Sequence, residues 1–207
     1  MAHADPDAAD PDADVAAVTG LELSADTPVI DNPISGERIV IRQCADETGG
    51  ALLAWELLLA RGGRVPSPHA HPEQEERFTL LGGVMRFRVR GRAVTLTAGE
   101  TLTIPAGTVH SFANAGRGPA HVAVETRPAL EMQALLETAA AMAREQHAAG
   151  RPLPRPADLV LFMRDFEREV RAPFLPAPLV RPVVRCLARL ASACRRDERY
   201  RRIRGAG

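Results

Sequence analysis

Between Glu37 and Arg127, short apolar stretches recur about every ten residues, set off by Gly and Pro. They are Arg38–Gln43, Ala51–Leu59, Glu76–Leu81, Val84–Arg90, Ala93–Thr97, Thr101–Ile104, Val109–Phe112 and His121–Thr126. Segments this short cannot carry a useful helix, and turn residues at that spacing reverse the chain each time. The pattern predicts a mainly β, antiparallel sandwich or barrel. No motif repeats, so a single barrel is expected.

The flanks read differently. Residues 1–31 carry eight acids and no arginine, and the first twenty are mostly Ala, Asp and Pro with no helix or strand period. A disordered acidic N-terminal segment over 1–31 follows from that composition. The barrel domain is expected over 32–128, and a helical extension over 129–207. Ala, Leu, Met, Glu and Gln favour helix, and they dominate Ala129–His147; further helices are expected over Ala157–Arg171 and Leu179–Arg196, with prolines between them.

Within this extension, residues 151–207 hold fourteen arginines against six acids. In its last helix Val180, Val183, Val184, Leu187, Leu190 or Ala191, and Cys194 share one face, beside Arg181, Arg185 and Arg189. Such a basic amphipathic helix can lie on an anionic membrane surface. Packing on the barrel or on a second subunit is the preferred reading. A homodimer is the expected assembly.

Composition excludes some chemistry. All 26 basic residues are arginine, so neither a lysine Schiff base nor a lysine-containing phosphate loop is available. Aromatic residues make up 4% of the chain, too few for a stacking platform, and no nucleic-acid partner is expected. Three cysteines do not make a disulfide framework, and there is no signal-peptide pattern and no bilayer-length apolar run. A cytoplasmic location is the expectation.

Strand parity assigns faces, because successive side chains point to opposite sides of a strand. Met85, Phe87 and Val89 fall on one face and Arg86, Arg88 and Arg90 on the other. The same rule turns Glu76 inward with Phe78 and Leu80, and His110 inward with Phe112. A carboxylate and an imidazole inside a barrel are costly unless something satisfies them. His69 and His71, two apart, add two imidazoles on one face of an extended segment. Three imidazoles and one carboxylate suit a divalent transition metal. His3, His121 and His147 read as surface groups, and Glu73 and Glu75 as solvated neighbours of Glu76.

These residues resemble the two motifs of the cupin superfamily. GRVPSPHAHPEQEERFTLLGG carries Gly63, His69, His71, Glu76 and Gly83 at the first motif's spacing. GETLTIPAGTVHSFAN carries Gly99, Pro105, Gly107, His110 and Asn114 at the spacing of the second, fifteen residues further on. The resemblance covers roughly residues 33–128. It implies a small antiparallel jelly-roll barrel holding one metal ion through His69, His71, Glu76 and His110. The donor set accepts Fe, Mn, Ni, Cu or Zn.

Members of this superfamily differ widely in activity, so function must be argued from the site. The first reading is an oxygenase for a small, aromatic or polyketide-like substrate, with Glu76 as ligand and proton acceptor. Phe78, Met85, Phe87, Phe112 and Trp55 would form the apolar pocket wall. A cyclase or isomerase using the ion as Lewis acid is the second reading, and a binding protein without turnover the third.

Overall fold

The computed structural model describes residues 29–65, 67–173, 177–193 and 197–205. Its strands are β1 (Val29–Asn32), β2 (Glu37–Gln43), β3 (Leu53–Leu59), β4 (Glu75–Gly82), β5 (Val84–Val89), β6 (Arg92–Thr97), β7 (Thr101–Ile104), β8 (His110–Asn114) and β9 (Ala120–Arg127). They pair antiparallel into one sheet of order β1-β2-β3-β9-β4-β7 and another of order β6-β5-β8. Facing sheets of short antiparallel strands make this a mainly β jelly roll.

Alternation builds the core. Met85 and Phe87 are fully buried while Arg86 and Arg88 on the same strand face water. Leu53, Trp55, Leu57 and Leu59 of β3, and Phe78 and Leu80 of β4, meet them from the larger sheet. Gly83 joins β4 to β5 at φ +84°, and a Cβ there would lie 2.8 Å from the Pro119 carbonyl oxygen. Only glycine turns the chain in that space without strain.

Behind the barrel lie α1 (Met132–Ala148), α2 (Pro156–Asp165), α3 (Ala177–Ala193) and α4 (Glu198–Arg204). Met132, Leu135 and Ala140 of α1 join the barrel core. Met142, Leu161, Ala188, Tyr200 and Ile203 form a second apolar cluster among the helices. Arg204 ties the bundle together, pairing with Asp165 at 2.6 Å and with Glu131 at 2.7 Å. Among the described residues, no helix is long and apolar enough to cross a membrane.

Several expectations need correction. Val29–Asp31, assigned to the acidic head, belong to β1, which pairs with β2 and is reinforced by Arg144 donating to the Asp31 carbonyl. The rest of that head, residues 1–28, lies outside the described residues. Helix α1 begins at Met132, not Ala129, because Leu130 takes a positive φ of 45° that no α-helix contains. Helix α2 stops at Asp165; residues 166–169 form turns, and Arg171 makes an isolated bridge to Ala70. A fourth helix, α4, follows the three expected ones.

On α3 the residues that pack are the small Ala188 and Ala191, while Val183, Leu187 and Leu190 of the expected apolar face are exposed. Its neighbour is α2. Arg181 and Arg185 reach Glu167, which follows α2 directly. The side chains of Val180 and Cys194, also placed on that face, lie outside the described residues.

Candidate metal centre

Backbone pairing brings the imidazoles together. The His69 N–H donates to the His110 carbonyl at 2.9 Å, and the His110 N–H returns to the His69 carbonyl at 2.8 Å. The His-x-His segment is thereby clipped to the first residue of β8. Gly107, in the turn after Pro105, donates its N–H to the His71 carbonyl at 2.7 Å and holds the two motifs in register. Glu76 stands opposite Ile104 of β7 and Thr126 of β9 in the larger sheet.

The result is a tight cluster. Ring centroids of His69, His71 and His110 lie 4.5–5.3 Å apart, and one donor atom from each falls within 4.8 Å of the others. Glu76 Oε2 is 3.1 Å from His71 Nε2 and 3.2 Å from His110 Nε2. His71, Glu76 and His110 are buried, and His69 is half-buried at the rim.

The hydrogen bonds around the rings dictate their protonation. His69 Nδ1 faces the Ser67 carbonyl at 3.1 Å, His110 Nδ1 the Thr108 carbonyl at 3.1 Å, and His71 Nδ1 the Glu169 carbonyl at 2.5 Å. A carbonyl oxygen only accepts, so each Nδ1 carries a hydrogen and each ring turns its Nε2 toward the centre. His71 Nε2, His110 Nε2 and Glu76 Oε2 are buried without a hydrogen-bond partner. Lone pairs facing a carboxylate need a cation between them, either a proton or a metal ion.

Electrostatics agree. Burial, followed by the neighbouring His71 and His110, pushes His69 down to about 3, so it stays neutral. Burial also draws His71 down, but the Glu76 charge 3.1 Å from its Nε2, together with the Glu169 carbonyl at its Nδ1, outweighs it and raises its proton affinity. Burial would raise the Glu76 carboxyl, yet His71 and His110 hold it well below the usual carboxylate range. At His71, then, a proton and a divalent ion would compete for the same Nε2 lone pair. The residues fit the ion that the donor set implies.

The remaining site candidates fall into two groups. Phe78, Phe87 and Phe112 form one aromatic cluster with centroids 5.1–5.8 Å apart, and Phe78 lies 6.4 Å from the His110 ring. Met85 is fully buried beside them, and Trp55 donates its indole N–H to Thr126 Oγ1 at 3.3 Å, Thr126 being the residue directly opposite Glu76. Glu73 and Glu75 are exposed, and Glu73 is engaged by Arg168.

His121 requires correction. It does sit on the outer face of β9, but it is 4% exposed, with Nε2 2.6 Å from Glu56 Oε2. Sheet-face parity cannot reveal what covers a face. Glu37 was overlooked: it shares the inward parity of Ile39 and accepts the Ser35 hydroxyl at 2.5 Å. Burial pushes its carboxyl up, the Ser35 hydrogen bond offsets part of this, and the Glu76 charge adds to the rise. Parity, already applied to Glu76, would have found it. Glu169 was also overlooked and has no comparable sequence signal.

Fold and centre together define a jelly roll with a buried three-histidine cluster that could hold a metal ion. Residues 55–125 match the family model described as Cupin domain. Over those residues, about a third of the chain, the protein is similar to a cupin domain. A germin-like protein 1-1 of Oryza sativa subsp. japonica is 35% identical over 100 residues, spanning 46% of this chain and 43% of that protein. The chain therefore matches less than half the length of that curated relative.

Solved structures with a similar fold include an RmlC-like cupin from Shewanella frigidimarina (18% identity, TM-score 0.46, covering 55% of this chain and 94% of that one). KdgF from a Halomonas species is 20% identical at TM-score 0.46, over 54% and 96% of the two chains. A predicted oxalate decarboxylase from Thermotoga maritima is 20% identical at TM-score 0.46, over 52% and 98%.

Proposed function

We propose that the protein is a metal-dependent oxygenase acting on a small aromatic or polyketide-like molecule. The observation carrying this reading is the buried convergence of His71 Nε2, His110 Nε2 and Glu76 Oε2, none with a hydrogen-bond partner. His69, His71, His110 and Glu76 would hold one divalent ion: Fe, Mn, Ni, Cu or Zn. Bound there, the ion would polarise a substrate oxygen and support oxygen chemistry.

The chain's own residues supply the rest. Phe78, Met85, Phe87, Phe112 and Trp55 make the barrel interior around the cluster apolar, which favours a weakly polar substrate over a hexose. The three Nδ1–H···carbonyl bonds hold the rings so that no donor atom must reorient when substrate arrives. Glu76, kept ionised by its imidazole neighbours, takes the proton the substrate releases.

The test is oxygen uptake by metal-loaded protein against a panel of phenols, catechols and 1,3-diketones. Expected is O₂ consumption in step with loss of one such compound, abolished by a chelator and restored by metal. Turnover without O₂ uptake would instead indicate Lewis-acid cyclase or isomerase chemistry. Tight binding without turnover would indicate a binding protein.

A further inference from the structure

The geometry points to residues Glu169–Arg171 as a strap that positions His71 and so sets the metal affinity of the barrel site; this rests on the metal-binding reading above. Each of the other two histidines finds its orienting carbonyl two residues back in its own segment: Ser67 for His69, Thr108 for His110. His71 departs from this pattern: the carbonyl two residues before it, that of His69, accepts the His110 N–H at 2.8 Å. Its Nδ1–H donates instead to the carbonyl of Glu169, 98 residues away.

That carbonyl is held from several directions. Ala70 and Arg171 exchange both backbone hydrogen bonds, at 3.0 and 2.8 Å, directly beside His71. Arg168 grips Glu73 at 2.9 and 2.7 Å on the outer side. Glu169 is 3% exposed, and its Oε1 accepts the Glu131 N–H at 3.3 Å. The barrel therefore supplies the ligand, while the helical extension supplies the acceptor that fixes its tautomer and ring plane. Outer partners of metal-bound histidines are typically worth 10–100-fold in metal affinity.

The test uses the full chain and Co²⁺, with affinity measured by chelator competition and the ligand field by the visible d–d spectrum. Arg171→Pro removes the N–H that bonds to the Ala70 carbonyl. Expected is a variant with wild-type circular dichroism, Co²⁺ affinity reduced about 10–100-fold and an altered d–d spectrum. Should proline prevent folding, Glu169→Gly decides instead: it frees the same backbone and removes the Glu131 tether, and the same loss is expected. Glu169→Gln keeps the acceptor and should rescue affinity and spectrum. A folded Arg171→Pro or Glu169→Gly protein with unchanged Co²⁺ affinity and spectrum overturns the strap. Wild-type protein that binds no Co²⁺ overturns the metal reading beneath it, a distinct outcome.

Discussion

Replacing Phe78 by alanine asks whether the aromatic cluster is packed core or the wall of an open space. Phe78 is fully buried, with Phe87, Phe112 and His110 at 5.1, 5.7 and 6.4 Å between ring centroids. Truncating a packed phenylalanine forfeits its transfer energy and leaves a cavity, together about 3–5 kcal/mol. Aromatic pairs of this geometry contribute about 0.5–1.5 kcal/mol each beyond area burial, which places the expectation near 4 kcal/mol. For a chain of this length that lowers Tm by about 8–16 °C. The assay is urea unfolding and calorimetry of chelator-treated protein, so that metal binding does not contribute. A loss under about 1.5 kcal/mol would refute the reasoning, because it would mean that water already occupied the space beside the ring.

Two further outcomes follow from the fold. The Glu37 carboxyl is raised above its ordinary 4.5 by burial, so the folded protein holds a proton more tightly than the unfolded chain and loses stability as pH rises from that value through the folded pKa. Glu37→Gln should therefore raise Tm at about pH 7 and lose that advantage near pH 4; equal gains at both, or a loss at neutral pH, would contradict this. Gly83→Ala puts a Cβ 2.8 Å from the Pro119 carbonyl oxygen at φ +84°, so a loss of at least about 2 kcal/mol is expected in urea unfolding, and a neutral result would contradict the turn geometry.

The barrel was readable in the sequence because its strands obey a period of two and its turns carry Gly and Pro. Inward parity alone turned Glu76 and His110 toward the interior, where the structure sets them 3.2 Å apart. Strand β1 escaped because it is only four residues long, contains Asp31 and Asn32, and adjoins the acidic head. The outward side of His121 was correct, yet its burial against Glu56 depends on neighbours that periodicity does not encode. The Glu169–Arg171 strap was hidden most completely. Its residues continue the amphipathic pattern of α2, but the chain turns after Asp165 and Arg171 pairs with Ala70, and local propensity does not register a partner about a hundred residues away.

The most direct test of the account is elemental analysis of protein purified without added metal, alongside His69→Ala and His110→Ala. One divalent transition metal ion per wild-type chain, lost in both variants while their circular dichroism is retained, is the predicted result. A wild-type protein that carries no such ion and takes none up when supplied, or variants that keep a full complement, would contradict the claim that these imidazoles and Glu76 form one metal site.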